Sequence, residues 1–358
     1  MQRKVIALLL AVNLIGSFAG PIQRNIQWDE AMLGFPKSDG NLHIYAIPVG
    51  NGDATIIQCP GGDIIISDLG REKQSSGTGW TASMVRRYLD DQLGNVKALI
   101  VSNPTEDHYN YVAEVFNTTS GVGTSLETIV IAGTRSDYRD EAFQSFLNDH
   151  SHIVENINGG NPCISDCSNT PPQCNAYGNQ EVVLKYLAAN LGNSAYSRSI
   201  TTQVIFKNFK LLLPGDFLGN DIEQLIMQEW DALGYDLTSS HYKVSNHGAI
   251  SSSNSQDWLA AIAPEYAFSS NAYPASGMEN PSCGIYTSLL KVGSLSKRST
   301  PGVYACIQSN TVIQYQNFVY DLFTTSPTSS STELLKITVS VCENDEVKHE
   351  MKAIPNPF

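Results

Sequence analysis

Val101-Ser102-Asn103-Pro104-Thr105-Glu106-Asp107-His108-Tyr109 is the stretch on which the fold turns. The apolar run before it, Val96 to Val101, reads as a buried strand. Tyr111 to Phe116 after it reads as a short helix. Ligand and catalytic sites of α/β proteins gather in the loops at strand ends. An isolated Asp-His pair is most often a solvated turn, so its meaning depends on the surrounding sequence.

Toward the N-terminus, three short strand-like runs precede it: His43 to Val49, Ala54 to Gln58 and Ile64 to Ser67. Gly50-Asn51-Gly52-Asp53 and Gly61-Gly62 separate them as turns. Thr81 to Leu93 reads as an amphipathic helix, with Met84, Val85, Tyr88, Leu89 and Leu93 on one face.

Toward the C-terminus, a strand at Thr128 to Ala132 and a helix at Glu141 to Asp149 follow. Residues 156–180 carry Gly159-Gly160, Pro162, Pro171-Pro172 and three cysteines, and read as a stapled surface insertion. Strands Thr201 to Phe206 and Phe209 to Leu213 flank a hairpin turn at Lys207-Asn208. Strand and helix then alternate: helix Asp221 to Leu233, strand Tyr242 to Ser245, helix Ser255 to Ile262, strand Tyr266 to Ser269, helix Cys283 to Val292. Strands at Gly302 to Gln308, Thr311 to Tyr315 and Leu335 to Val341 end the pattern, with a Ser/Thr/Pro loop at Thr324 to Thr332. Each half is strands followed by strand–helix alternation. The expected architecture is an α/β αββα sandwich, two mixed sheets with helices outside.

Five short motifs fall at strand ends in one order: Val49-Gly50-Asn51-Gly52-Asp53, Ile64-Ile65-Ile66-Ser67-Asp68-Leu69-Gly70, the Asp107-His108 stretch, Leu211-Leu212-Leu213-Pro214-Gly215-Asp216, and Lys243-Val244-Ser245-Asn246-His247-Gly248. Asn280-Pro281 comes later. The set resembles the metallo-β-lactamase superfamily, in the branch that includes the soluble hydrolase domain of bacterial DNA-uptake (competence) channel proteins. The motifs resemble that branch's VGQGD, iDtG, His-x-His-x-Asp-His, LLTGD, KVxHHG and late GHP. The resemblance spans roughly Leu42 to Pro281 and implies one metallo-β-lactamase-like domain over residues 42–358, with the insertion at about 156–180.

In that family two metals share a site, and an Asp from the GD turn bridges them. Carried over position by position, the resemblance leaves Asp107, His108 and Asp216 as ligands. Asn stands for His at Asn103, Asn246 and Asn280, and Thr105 stands for the second signature His. The late ligand position falls on Asn246 or on His247, and the sequence leaves both open. Zinc binds imidazole nitrogen at about 2.0–2.1 Å and favours N, S and carboxylate donors, so an amide and a hydroxyl are poor substitutes. The expectation is therefore no cofactor or one divalent metal, zinc before manganese or iron, on Asp107, His108, Asp216 and His247. Without an ion, neighbouring carboxylates need a proton or donors, and Asn103, Thr105, Asn246 and Asn280 are expected to donate. Asp53 and Asp68 read as structural loop residues. His43 and His241 read as surface or satisfied core histidines.

Arg3 and Lys4, the apolar run Val5 to Ile15 and the small residues up to Gly20 read as a signal peptide, residues 1–19, cleaved after Ala19. No later run is long and apolar enough to span a bilayer. The expected location is secreted and extracellular. Asn117-Thr118-Thr119 is an N-glycosylation sequon. Seven cysteines in an oxidising compartment should mostly pair. Cys59, in a strand-like run, reads as a buried free thiol. The Cys163, Cys167, Cys174 cluster reads as disulfides, together with Cys283, Cys306 and Cys342, and zinc is the lesser reading of the cluster. The net charge of -13 disfavours nucleic acid as partner; the sequence names no other.

Two functions compete on this reading. The first is a secreted pseudo-hydrolase, a binding or structural protein that keeps the fold and has lost catalysis. The alternative is a single-metal hydrolase of an ester, amide or phosphodiester using Asp107, His108, Asp216 and His247. A matrix or inter-chain role for the odd cysteine ranks third.

Overall fold

Strands β3 (Ile64–Leu69) and β4 (Val96–Val101) run side by side in parallel. A computed structural model describes residue 35 and residues 38–73, 79–116, 125–195, 197–217, 219–249, 253–272, 280–309, 311–320, 322–324, 334–341 and 346–354. The segment expected to be a signal peptide, Asn117 and Cys342 lie outside them. The region Pro36–Phe358 forms one unit.

The first sheet has the order β17-β16-β1-β2-β3-β4-β5-β6. Its members are β1 (Leu42–Ala46), β2 (Ala54–Gln58), β3, β4, β5 (Thr128–Ile131), β6 (Val154–Asn156), β16 (Leu334–Val341) and β17 (Val347–Ile354). From β17 to β3 the neighbours are antiparallel, and from β3 to β6 parallel. Parallel neighbours need a crossover. These are α1 (Ala82–Leu89), α2 (Val112–Val115) and α3 (Glu141–Asp149). Thr81 and Asp140 cap α1 and α3 by accepting from Met84 N and Phe143 N.

The second sheet repeats the plan, in the order β15-β12-β11-β10-β9-β8-β7. β7 (Cys163–Ile164), β8 (Val182–Ala189), β9 (Ile200–Phe206) and β10 (Phe209–Leu213) are antiparallel neighbours. β11 (His241–Lys243), β12 (Tyr266–Ser269) and β15 (Leu322–Thr324) follow in parallel. Helices α4 (Asn220–Ala232), α5 (Gln256–Ile262) and α6 (Cys283–Val292) make the crossovers. The hairpin of β13 (Lys297–Gln308) and β14 (Thr311–Tyr320) precedes β15.

Side-chain alternation shows how the layers stack. On β10, Leu211 and Leu213 join Ile44, Ile57, Ile65, Ile100 and Val130 of the first sheet in one buried cluster. Leu212 points the other way, into a second cluster with Ile222, Ile226, Trp258 and Leu289 of the helices. On the first sheet's outer face, Tyr45 of β1 meets Tyr88 of α1 edge-on at 6.3 Å. The αββα sandwich expected from the sequence is present.

Three disulfides staple the fold: Cys59–Cys174, Cys163–Cys167 and Cys283–Cys306. The first corrects the expectation of a free thiol at Cys59. That residue is buried just beyond β2, where the Cys-rich insertion returns, and Cys174 meets it there. The bridges also remove the zinc reading of the cluster, because a disulfide sulfur has no thiolate to offer.

Among the described residues five strands escape the sequence reading: the short β6, β7 and β15, and the longer β8 and β17. β8 is Val-Val-Leu-Lys-Tyr-Leu-Ala-Ala, whose Leu and Ala residues fit a helix as well. β17 is a half-exposed edge strand rich in charged residues.

Candidate metal centre

In both sheets the parallel strands deliver their C-terminal loops to one edge, where open α/β sheets hold their ligands. Asp68 comes from β3, Asn103 to His108 follow β4, Asp216 follows β10, His247 follows β11 and Ser270 follows β12. Asp53 arrives from the turn before β2. Its backbone N–H donates to Asp107 O and its carbonyl accepts from Gly70 N, each at 2.9 Å. The stacking needs glycine. A Cβ on Gly70 would lie 2.5 Å from the Asp107 carbonyl carbon, and one on Gly52 would lie 2.3 Å from Gly70 O. The glycines of the VGNGD and DLG motifs therefore let three loops close on one another.

The side chains converge. His108 Nε2 lies 3.1 Å from Asp216 Oδ2, and His247 Nε2 lies 3.3 Å from the same oxygen and 3.0 Å from Asp107 Oδ2. Asp53, His108, Asp216 and His247 form a group whose ligand atoms all lie within 4.8 Å of one another. Asp107 joins through His247. All are buried except Asp107, whose side chain is 19% exposed.

The outer nitrogens of both imidazoles are held. His247 Nδ1 is 2.8 Å from the Ser270 carbonyl, which can only accept, so Nδ1 carries a proton. His108 Nδ1 faces Ser102 Oγ at 3.3 Å and Asp68 Oδ2 at 3.2 Å. Ser102 gives its own hydroxyl proton to Asp68 Oδ2 at 2.7 Å, and its N–H donates to Asp68 Oδ1 at 2.7 Å. Asp68 adopts φ 62° to present its carboxylate this way. Outer partners of this kind fix the tautomer of metal-binding histidines and leave Nε2 to the ion.

Buried groups without partners mark the middle of the site. His108 Nε2 and both carboxylate oxygens of Asp216 have no hydrogen bond. Their close approach is off the axis of any N–H. Atoms that crowd together without bonding one another are arranged like ligands around a common point. A divalent ion fits the donor set Asp107, His108, Asp216 and His247, two carboxylates and two imidazoles.

Charge argues the same way. Lys243 is buried and pairs with Asp53 Oδ2. Burial opposes its charge, but Asp53 and Asp216 outweigh burial and hold the ammonium above the usual lysine range. Asp53 Oδ2 is thus taken by the lysine, while its Oδ1 is buried without a hydrogen bond. Two carboxylates can therefore stand beside Asp216 as the fourth donor, Asp53 inside the tight four-residue group and Asp107 at 3.0 Å from His247 Nε2. Against that single ammonium stand the carboxyls of Asp53, Asp68, Asp107 and Asp216. The surplus calls for a divalent ion or for two imidazolium rings. Without an ion the rings take the role. Burial opposes their charge, but Asp216 with Asp68 raises His108, and Asp216 with Asp53 raises His247, well above the usual imidazole range. Burial likewise opposes the charge of Asp216, yet the two rings hold it well below the usual carboxylate range.

The histidine-replacing residues turn elsewhere. Asn103 Nδ2 donates to Ser199 Oγ at 2.8 Å and to Ala195 O at 3.1 Å, while its Oδ1 accepts from Thr105 N and Oγ1. Asn246 lies in a left-handed turn, its N–H 3.3 Å from Gly215 O. Asn280 precedes Pro281, which packs on Gly248, and its Oδ1 is buried without a partner. The expectation that these residues wire the cleft does not hold at Asp216, whose carboxylate receives no hydrogen bond. Of the two candidates for the late position, His247 is the one that reaches the carboxylates.

His43 is a satisfied core histidine between Asp39 and Thr338. His241 is buried against Tyr266 and Phe209. The sequence reading missed Lys243 as a member of the site. β11 is His-Tyr-Lys and not an apolar run, so only its burial in the structure shows that this lysine must find a carboxylate.

Beside Asp107 opens a cleft of about 580 Å³, with Thr105 and Tyr109 on its lining. Among the described residues no helix is long and apolar enough to cross a membrane.

No protein-family model matches the chain, and no curated protein does. Among solved structures it is similar to the metallo-β-lactamase fold protein YhfI from Bacillus subtilis, at 9% identity and a TM-score of 0.39, covering 70% of this chain and 93% of that one. It is similar to the short form of human tRNase Z, at 13% identity and a TM-score of 0.38, covering 64% and 92%. It is also similar to CmlA, a diiron β-hydroxylase from Streptomyces venezuelae, at 12% identity and a TM-score of 0.39, covering 71% and 48%.

Proposed function

We propose that this protein is a secreted, single-metal hydrolase that holds one divalent ion on Asp107, His108, Asp216 and His247. The observation that carries the reading is the pair of buried, unbonded partners His108 Nε2 and Asp216. Zinc is the first candidate for the two-nitrogen, two-carboxylate set, with manganese and iron behind it. Such an ion supplies Lewis acidity, which makes hydroxide available near neutral pH and polarises a carbonyl or phosphoryl oxygen.

The chain's own residues do the rest. Ser270 O, Ser102 and Asp68 keep the rings turned with Nε2 inward. Lys243 offsets Asp53. Asp107, the most exposed of the four, brings the centre to the floor of the cleft, where an ester, amide or phosphodiester enters. Three disulfides fit an oxidising, extracellular setting.

The non-catalytic pseudo-hydrolase remains the second reading. It is favoured by the Asn103–Ser199 hydrogen bond, which ties up a residue standing where the first metal's ligand is expected. Elemental analysis and calorimetry on the secreted protein separate the two. One tight ion, lost in His108→Ala together with hydrolysis of a generic ester or phosphodiester, supports the hydrolase. A tight ion with no turnover, or no ion at all, supports the pseudo-hydrolase.

A further inference from the structure

The cleft beside Asp107 has a charge pattern of its own. Its lining includes four acids, Glu72, Glu106, Asp107 and Asp137, and three bases, Lys73, Arg139 and Arg198. Most of these are spoken for. Lys73 lies 3.2 Å from Glu106 and 3.0 Å from Asp140. Arg198 pairs with Asp137, whose other oxygen accepts from Thr134 N and Oγ1. Glu72 accepts from Asn51 Nδ2. Asp107 Oδ2 lies 3.0 Å from His247 Nε2. Arg139 is left, exposed, with no ion pair to its guanidinium among the described residues.

Its base is fixed although its side chain is free. The Arg139 N–H donates to the Tyr109 hydroxyl at 3.4 Å. Tyr138 before it is buried, its hydroxyl bonded to Ala132 O, and Asp140 after it caps α3. A guanidinium presents five donors in a rigid fork that matches carboxylate and phosphate oxygens. Apart from Asp107 the lining is balanced, three acids against three bases, on a protein whose net charge is -13. A cleft of about 580 Å³ is the size of a small-molecule site.

We infer that the cleft takes a small substrate bearing an anionic group, carboxylate or phosphate, held by the Arg139 guanidinium while the scissile bond faces Asp107. This rests on the single-metal hydrolase reading for the reaction, but not for the binding. Arg139 is a specificity residue here and touches the substrate away from the reacting atoms.

The test is calorimetry with inorganic phosphate and with succinate as probes. Wild type, Arg139→Gln and Arg139→Lys are each measured zinc-loaded and after chelation, with the metal content determined first. Both probes should bind at least about tenfold more weakly to Arg139→Gln than to wild type, the loss of one charge-assisted contact. Arg139→Lys should recover part of the affinity, since it keeps the charge and loses the fork. A dependence on Arg139 in protein that takes up no metal keeps this inference and sinks the hydrolase reading. Equal affinity of wild type and Arg139→Gln, in either metal state, overturns the inference and leaves the metal reading standing if zinc is bound.

Discussion

His108 Nε2 stands 3.1 Å from Asp216 Oδ2, and neither atom is hydrogen-bonded. Leaving a buried polar atom unpaired costs about 1–3 kcal/mol, and more when the group is charged. An ion between them removes that cost on both sides. Removing either residue should therefore cost more metal affinity than the 10–100-fold typical of an outer partner. We expect His108→Ala and Asp216→Asn each to weaken zinc by more than about 100-fold. Ser102→Ala, which removes the hydroxyl beside His108 Nδ1 and Asp68, should fall inside the outer-partner range. Competition with a chelating dye reads all three. Zinc affinity unchanged in His108→Ala would remove the site altogether.

Protons and metal compete for the same nitrogens. In the ion-free protein both nitrogens of His247 face acceptors, Ser270 O and Asp107 Oδ2, so the ring is an imidazolium. His108 faces Asp216 through Nε2 and Asp68 through Nδ1. Metal binding near neutral pH should release about two protons, seen as a buffer-dependent binding enthalpy. The stability of the ion-free protein has a definite sign. Both ring pKa values are raised in the folded state, so their contribution is full below about pH 6.5 and is lost as pH rises through the folded values. The melting temperature of chelated protein should fall across that window. That of zinc-loaded protein should not, because its rings are neutral throughout. Parallel curves would argue against the rings as ligands.

Lys243 and Asp53 are a buried pair at the back of the centre. Breaking such a pair on one side strands the other charge and costs about 3–5 kcal/mol. Lys243→Met should unfold correspondingly earlier in urea, and Asp53→Asn with Lys243→Met should recover most of the loss. On the proposed assignment of Asp107 as the fourth ligand, the double variant should still bind one zinc. Asp107→Asn should lose affinity with little loss of stability. If instead the double variant loses zinc and Asp107→Asn keeps it, the fourth ligand is Asp53.

Much of this was legible in the sequence, and the reason is physical. β2, β4, α3, β12 and α6 are short runs of one periodicity bounded by Gly, Pro, Asp or Ser, and their strand ends carry the motifs. Asp107, His108, Asp216 and His247 could be singled out because each stands in such a loop. Asp53 and Lys243 could not be paired, because they are 190 residues apart and only the meeting of the two sheets joins them. Cys59 was misread for the same reason, since its partner lies 115 residues away in the insertion. β8 escaped because Leu and Ala near its end suit either periodicity.

His247 itself depends on a buried amide one loop away. Asn246, His247 and Gly248 have φ of 48°, 50° and 89°, a left-handed run that non-glycine residues adopt at a cost. Asn254 closes that run. Its Nδ2 donates to Ser245 O at 3.0 Å and Ala249 O at 2.7 Å, and its Oδ1 accepts from Ser245 N at 3.1 Å and the Tyr242 hydroxyl at 2.6 Å. Glu223 of α4 holds Asn254 in turn, accepting its N–H at 2.6 Å and that of Ser255 at 2.9 Å. Asn254→Ala should therefore let His247 drift and weaken zinc by about 10–100-fold, the range for an outer partner. Asn254→Asp should restore little, because a carboxylate accepts but cannot donate to the two carbonyls. Cobalt in place of zinc separates a positional effect from general loosening. The visible spectrum of cobalt-loaded Asn254→Ala should change in shape as His247 moves off the ion. A weaker but unaltered spectrum would mean that the loop survives without Asn254 and that the amide serves stability alone.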